Sequence, residues 1–98
     1  MTRSLIITPE AERDIADAVA WYDRNLVGLG DRFILSLEVA LDHIRRASEA
    51  ATEVYPGVRR VVVRRFPYGV FYRIDSDQIV VIAVYHSKRN PRGWISRL

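Results

Sequence analysis

Apolar residues recur at helical spacing in two segments of the first half of the chain. The first set is Ala11, Ile15, Ala18, Val19 and Tyr22, and the second is Phe33, Leu37, Ala40, Leu41 and Ile44. Each set predicts one apolar face of a helix. Thr8 is suited to cap the first helix and Pro9 to its first turn, and we expect that helix to end near Asn25. A second helix is predicted from about Gly30, and the short connection favours an antiparallel helical hairpin.

The second half of the chain carries β-branched and aromatic runs separated by turn residues. These runs predict strands at about 58–66, 68–75 and 78–85, after a short first strand at 3–7 and a linker at 47–57. The run Ile79–Val84 is apolar without alternation, so we expect that strand to be covered on both faces or central in its sheet.

The predicted element order is strand, helix, helix and three strands. Strands joined by tight turns run antiparallel, and two amphipathic helices need a sheet face to cover. We therefore predict an α+β, two-layer fold of order β-α-α-β-β-β, in which a helical hairpin covers one face of an antiparallel sheet. Residues 1–98 are expected to form a single domain. The pairing of the first strand is not determined by this pattern.

Charge is distributed unevenly between the two halves of the chain. Residues 1–50 carry six arginines and nine acidic residues, whereas residues 51–98 carry nine basic residues and three acidic ones. Lys88 is the only lysine, and five arginines lie within the predicted hairpin 59–74. Arginine suits bidentate contact with carboxylates or phosphates, so the excess charge indicates a partner.

Several kinds of chemistry are disfavoured by the composition. The chain has no cysteine, and its two histidines are far apart, so we predict neither a disulfide nor a metal site. Gly28 and Gly30 lie between helices rather than after a strand, and no phosphate-binding loop is present, so we expect no cofactor. The acidic residues of the first helix have the spacing of a solvated face. No apolar run is long enough for a signal peptide or a membrane span, which favours a soluble cytoplasmic protein.

Basic and aromatic residues are interleaved on the predicted sheet and in the tail after it. This pattern suits RNA or single-stranded nucleic acid, and it equally suits an acidic, partly disordered peptide. RNA cleavage would need a general acid and base, and His86, Tyr85 and Tyr72 are candidates. The sequence contains no motif that would place an orienting carboxylate beside His86, so the evidence for a catalytic role of His86 is weak.

Several short motifs, in order along nearly the whole chain, resemble one known family. They are Ala11, Asp14, Ala18 and Trp21-Tyr22; Leu29-Gly30 and Phe33; RRFPYGVFYRI at 64–74; and AVYHSKRNPRGW at 83–94. This combination resembles the ParE/RelE superfamily of toxins from type II toxin–antitoxin systems, and Arg65-Phe66-Pro67-Tyr68 is closest to the ParE-like, or plasmid stabilisation, branch.

The resemblance implies a growth-arresting toxin that is neutralised by a cognate ParD-like antitoxin in a toxin–antitoxin hetero-oligomer. ParE-like members inhibit DNA gyrase and so replication, whereas RelE-like members cleave ribosome-bound mRNA. We favour gyrase inhibition without catalysis by the toxin itself; the alternative is a ribosome-dependent mRNA endoribonuclease acting through Arg64, Arg73, Tyr85 and His86.

The predicted partner-binding surface combines the hairpin and the tail. Its candidate residues are Arg60, Arg64, Arg65, Tyr68, Tyr72, Arg73, His86, Lys88, Arg89, Arg92 and Trp94. If the tail after His86 only contacts the target, its removal is expected to preserve folding.

Overall fold

The predicted two-layer α+β architecture is confirmed by a computed structural model, which describes residues 3–98. Its elements are β1 (Ser4–Ile7), α1 (Pro9–Asn25), α2 (Leu29–Arg46), β2 (Glu53–Tyr55), β3 (Val58–Val63), β4 (Tyr68–Asp75), β5 (Gln78–His86) and α3 (Arg92–Ile95). The hairpin of α1 and α2 covers one face of the sheet. Neither of these helices, nor α3, is long and apolar enough to cross a membrane.

Both long helices begin as their sequences predict. The Thr8 hydroxyl accepts a hydrogen bond from the Ala11 backbone N–H at 3.2 Å, and Pro9 occupies the first turn of α1. The two helices are joined through Gly28, whose φ of +89° favours glycine. The Asp23 carboxylate accepts the Gly30 N–H at 2.9 Å and so caps α2 from α1. A Cβ on Gly30 would lie 2.7 Å from that carboxylate, so a larger residue would displace the Asp23 side chain from this capping position.

The sheet has five strands in the order β1-β5-β4-β3-β2. Strands β2 to β5 form an antiparallel meander, and the antiparallel pairing of β3, β4 and β5 is the one predicted. Strand β1 pairs in parallel with β5, in the register Ser4 with Gln78 to Ile7 with Val81. The parallel direction is possible because two helices separate β1 from the other strands along the chain. This settles the pairing that the sequence left open.

Two strand boundaries differ from the prediction. The expected linker 47–57 contains β2, which is only three residues long and too short to show a period of its own. Gly57, at φ +76°, turns the chain from β2 into β3. Strand β3 ends at Val63 rather than Phe66, because Arg65 has a φ of +71° and lies in the connection to β4.

Each face of the sheet carries its own apolar cluster. The cluster under the helices contains every residue of the predicted α2 face together with Val63, Val70 and Tyr72. The cluster on the other face, which we call the second face, contains Val58, Phe71, Val80, Ile82, Ala83, Tyr85 and Trp94. Residues 79–85 are all buried, which confirms that β5 is covered on both faces. A bulge between β4 and β5 directs Ile82 and Ala83, although consecutive, to the second face.

Side chains of β3 and β4 hold the segment between α2 and β2 against the sheet. The Tyr72 hydroxyl, fully buried, donates to the Ser48 carbonyl at 2.7 Å. The Arg59 guanidinium donates to the carbonyls of Glu49 at 2.9 Å and Ala51 at 2.7 Å. Burial raises the pKa of the Tyr72 phenol, with the nearby Arg59 acting in the opposite direction. This phenol is therefore an uncharged structural donor at neutral pH.

Candidate functional site

The second face has an aromatic floor supplied by the C-terminal tail. The Trp94 indole stacks on Phe71 with ring centroids 4.6 Å apart, and it meets the edge of Tyr55 at 5.8 Å. Only 5% of Trp94 is exposed. The tail therefore covers apolar strand residues that would otherwise face water. We therefore expect the tail to stabilise the fold, although the sequence analysis expected its removal to preserve folding.

A basic cleft lies beside this aromatic floor, with a cavity volume of about 490 Å³. We define the basic cleft by Arg60, Val62, Tyr68, His86, Arg89 and Trp94, which line it. The Arg89 guanidinium lies 4.2 Å from the centroid of the Tyr85 ring, a cation–π contact that holds the cation at the rim. Within residues 3–98, no carboxylate is among the residues that line this cavity. The cleft therefore combines positive charge with an apolar floor.

His86 ends β5 and pairs with Tyr68 across the sheet. Its ring meets the Tyr68 ring edge-on, with centroids 5.2 Å apart. His86 Nδ1 accepts the Lys88 backbone N–H at 3.0 Å, so the neutral imidazole carries its hydrogen on Nε2. Asp14 and Asp17 line a neighbouring hollow that also reaches His86. In the part of the chain that is described, no hydrogen bond joins either carboxylate to the imidazole, so no acid–base dyad is formed.

Tyr68 separates the basic cleft from the aromatic core under the helices. Its ring lies 5.1 Å from Phe33 and 6.1 Å from Tyr22, measured between centroids. Burial raises the pKa of the Tyr68 phenol; Arg89 opposes this shift, and Asp14 and Asp17 add to it. The phenol is therefore protonated at neutral pH. It can donate a hydrogen bond to a partner but is poorly suited to act as a base.

The remaining predicted basic residues surround the cleft or lie in the tail. Arg64 and Arg65 are exposed in the connection between β3 and β4 rather than on the strand faces predicted for them. Arg65 lines a separate hollow of about 580 Å³ with Tyr22 and Phe66. Lys88 and Arg92 are exposed in the tail. These exposed side chains are available to a partner, but the hollow that Arg65 lines lies beside α1 and α2.

Three of the predicted contact residues lie away from an accessible surface or from the cleft. Tyr72 is fully buried in the cluster under the helices, on the face of the sheet opposite the cleft, whereas Trp94 is buried in the floor of the cleft. Arg73 lies farther along β4, where it pairs with Val80 of the sheet and donates to the Asp75 carboxylate at 3.1 Å. The sequence showed these residue types but not their depth or partners.

The alternative catalytic set is not brought together. Tyr85 pairs with Gly69 and His86 with Tyr68, whereas Arg73 is four to five residues farther along β4. At about 3.3 Å per residue this separation is roughly 13–17 Å. Only His86 and Tyr85 share the cleft, together with Arg60 and Arg89.

A buried ion pair was missed by the interpretation of α1 as an acidic, solvated helix. Asp14 is 7% exposed, and its carboxylate accepts two hydrogen bonds from Arg97, at 2.7 and 2.9 Å. The hydrogen bond to Asp14 raises the pKa of the Arg97 guanidinium, while burial acts in the opposite direction. One signal in the sequence could have indicated this burial. Asp14 lies three residues after Ala11 and four before Ala18, a spacing that places an acidic residue on the apolar face of the helix.

This ion pair also satisfies an otherwise unpaired edge of β5. Strand β1 covers β5 only as far as Val81, because the chain then turns into α1. Beyond that point Asp14 accepts the Val84 N–H at 3.0 Å, and Arg97 donates to the Ile82 carbonyl at 3.0 Å. The two side chains thus bind the backbone groups that a longer β1 would have paired.

Residues 3–98 thus form a small α+β fold with a basic, aromatic second face. A model of the family described as "ParE toxin of type II toxin-antitoxin system, parDE" matches residues 5–91. The chain belongs to this ParE toxin family of type II toxin–antitoxin systems.

Individual relatives agree with this assignment. The chain is 29% identical to Toxin ParE2 of two Mycobacterium tuberculosis strains over 94 residues, which is 95% of this chain and 90% of the relative. Its fold is similar to that of a chain in the chromosomal ParDE system of P. aeruginosa, with a TM-score of 0.78, 18% identity, and coverage of 87% and 96% of the two chains. A chain in the toxin–antitoxin complex RelBE2 of Mycobacterium tuberculosis gives a TM-score of 0.63, 22% identity, and coverage of 88% and 99%.

Proposed function

We propose that this ParE-family toxin acts by binding proteins rather than by cleaving RNA. Its target in this proposal is DNA gyrase, whose inhibition blocks replication in the cytoplasm. A ParD-like antitoxin neutralises it by occupying the basic second face in a hetero-oligomer. The gyrase assignment is supported by family membership, and the antitoxin by two structural neighbours that come from toxin–antitoxin systems. Residues 1–98 are taken as one toxin domain.

The basic cleft is the observation that carries the proposal. It presents Arg60 and Arg89 above an apolar floor. No Asp or Glu of residues 3–98 lines it. An acidic segment with apolar side chains would place carboxylates on the guanidinium groups and one apolar side chain beside the exposed Val62. Such a segment gains affinity from charge-assisted hydrogen bonds and from apolar burial at the same surface.

The proposed contact residues follow from their exposure. They are Arg60, Arg64, Arg65, Tyr68, His86, Lys88, Arg89 and Arg92. Trp94 supports this surface from beneath, whereas Tyr72 is buried under the helices and Arg73 lies outside the surface.

A comparison of two assays tests the proposed target. Purified toxin is added to DNA gyrase with relaxed plasmid, and separately to translating ribosomes. We expect loss of supercoiling and intact mRNA, and the antitoxin should restore supercoiling. Codon-specific mRNA cuts with normal supercoiling would refute the gyrase proposal while leaving the family assignment unaffected.

The ribonuclease alternative is retained because His86 shares one cavity with Arg60 and Arg89. The imidazole could move a proton through Nε2 while the two guanidinium groups hold a phosphate. If this is the function, His86→Ala abolishes mRNA cleavage but leaves antitoxin affinity nearly unchanged. If the toxin acts only by binding proteins, neither the wild-type chain nor His86→Ala cleaves mRNA.

A further inference from the structure

Two glycines at the basic cleft stand where a side chain would collide with a neighbouring residue. Gly69 lies in β4 and Gly93 in α3, and both fall within the motifs that carry the family resemblance. Neither has a positive φ, so the backbone itself does not require glycine at these positions. Glycine also weakens a strand or a helix relative to alanine. The reason for both glycines therefore lies in the side chains around them.

Gly69 leaves the space that the side chain of Arg60 occupies. A Cβ at Gly69 would lie 3.0 Å from Cδ and 3.1 Å from Cγ of Arg60. Arg60 belongs to β3, where it pairs with Phe71, so its aliphatic stem crosses onto the neighbouring strand β4 and lies over the glycine. Gly69 pairs in turn with Tyr85 of β5. The stem of Arg60 therefore runs across the second face towards β5, and Arg60 lines the cleft.

Gly93 leaves the space that the ring of Tyr85 occupies. A Cβ at Gly93 would overlap the Tyr85 hydroxyl oxygen and would lie 2.9 Å from the ring carbon that carries it. The ring is 3% exposed and meets the glycine end-on. Its face supports the Arg89 guanidinium, whose carbon lies 4.2 Å from the ring centroid. Tyr85 can therefore hold the Arg89 cation in this place only while residue 93 has no side chain.

Two guanidinium groups in one cleft repel each other, and among residues 3–98 no Asp or Glu lines the cleft to offset that repulsion. We propose that Gly69 and Gly93 are positioning residues, which let Arg60 and Arg89 lie over the second face so that both guanidinium groups can bind one carboxylate of a partner. Charge-assisted hydrogen bonds from two cations would favour an acidic side chain at this place. The identity of the partner rests on the proposed function, whereas the placement of the arginines is a property of the free toxin.

The arginine Nε–H resonances of the full chain measure this placement by NMR without any partner. Gly69→Ala should shift the Arg60 resonance, and Gly93→Ala should shift that of Arg89, because the ring current of Tyr85 no longer acts on it. Gly69→Ala should not lower the Tm, since alanine suits a strand better than glycine does. An unchanged resonance in either variant would overturn the role of that glycine.

Gly28→Ala is the matched control for the glycine variants. Gly28 lies between α1 and α2, outside the cleft, and has a φ of +89° with open space around the position of a Cβ. Alanine is strained at this φ, so the variant should lower the Tm but leave both arginine resonances unchanged. The control thus distinguishes a general loss of stability from a displaced arginine. Shifts in Gly28→Ala as large as those in Gly69→Ala would overturn the proposal.

Calorimetry with a synthetic peptide of alternating glutamate and leucine residues tests the effect on binding. Gly69→Ala should weaken binding about tenfold in the wild-type chain but have no further effect in Arg60→Ala, because the cation is already absent. Equal losses in both chains would mean that Gly69 does not act through Arg60, and the proposal would be wrong. Gly93→Ala should weaken binding to a similar extent, and adding Tyr85→Phe should restore most of it by removing the colliding hydroxyl.

The two measurements separate this proposal from the proposed function. A wild-type toxin that does not bind the acidic peptide, but whose glycine variants shift the Arg60 and Arg89 resonances as expected, would refute the acidic partner and support the placement of the arginines. Peptide binding that is lost in Arg60→Ala but unchanged in Gly69→Ala and Gly93→Ala would support the proposed function and overturn the role of the glycines.

Discussion

Arg97 donates two hydrogen bonds to the Asp14 carboxylate, from Nη1 to Oδ2 at 2.7 Å and from Nη2 to Oδ1 at 2.9 Å. These residues are 83 positions apart, at opposite ends of the chain. The pair joins α1 to the tail and completes the hydrogen bonding of β5 between Ile82 and Val84. The tail is thus part of the fold as well as a carrier of basic residues.

Breaking this ion pair should destabilise the protein strongly. Arg97→Ala leaves a buried carboxylate without its cation and an unpaired Ile82 carbonyl, and we expect a loss of about 3 kcal/mol in the free energy of unfolding, measured in urea. Arg46→Ala is the control, because it breaks the exposed Asp42–Arg46 pair, which is worth about 0.5 kcal/mol or less. Equal small losses for both variants would mean that the Asp14–Arg97 pair is solvated in solution.

The tail should be required for stability through its tryptophan. Trp94→Ala removes an indole that is stacked on Phe71 and 95% buried, and a loss of about 3–5 kcal/mol is expected. Truncation after His86 should lower the stability further, because it removes Arg97 as well. Trp21→Ala is a matched control at a half-exposed indole and should cost about 1 kcal/mol. Thermal unfolding measures all three, and a truncated chain with unchanged Tm would contradict the prediction.

Stability should fall at alkaline pH because of buried tyrosines. Burial raises the pKa values of Tyr22, Tyr68 and Tyr72 above the unfolded value of about 10. Above that pH the unfolded chain releases the phenolic protons while the folded chain retains them. The free energy of unfolding therefore decreases as pH rises through the folded-state pKa values, and these groups contribute no pH dependence below the unfolded value.

The variant Tyr72→Phe distinguishes the loss of stability caused by tyrosine ionisation at high pH from the loss caused by removing a hydroxyl group. At pH 8 the variant should lose about 1 kcal/mol, because the Tyr72 hydroxyl no longer donates to the Ser48 carbonyl. Above the unfolded tyrosine pKa its stability should decrease less steeply than that of the wild type. Tyr55→Phe, at a more exposed ring, controls for hydroxyl removal at pH 8. Parallel pH curves for wild type and Tyr72→Phe would contradict the assignment of Tyr72.

Antitoxin affinity should depend on the arginines of the basic cleft. Arg60→Ala and Arg89→Ala should each weaken binding of an acidic antitoxin segment by about 1–3 kcal/mol, which calorimetry can measure. Arg64→Ala and Arg65→Ala test the same role at the turn. Arg13→Ala, at an exposed arginine of α1, is the control. Binding should also weaken as salt is added. Unchanged affinity in all four variants would place the antitoxin elsewhere.

Periodicity and turn residues were sufficient to predict most of the fold. The apolar faces of α1 and α2, the Thr8 cap and the three long strands depend on local spacing and local capping, and the structure confirms them. Strand β2 was not predicted because three exposed residues are too few to show an alternation of polar and apolar positions. The predicted end of β3 was three residues too late because Arg64 and Arg65 lie between the valines of β3 and Phe66. The residue types of the basic surface were likewise visible from composition.

Only the tertiary structure decided the depth and partners of individual side chains. Tyr72 and Trp94 belong to types found both on binding surfaces and in cores, and their burial depends on which element packs over them. The pairing of β1 with β5 follows from a crossover through two helices, which no local pattern encodes. Asp14 resembles its solvated neighbours in sequence until the chain brings Arg97 back to it, because an ion pair across 83 residues depends on the closure of the whole fold.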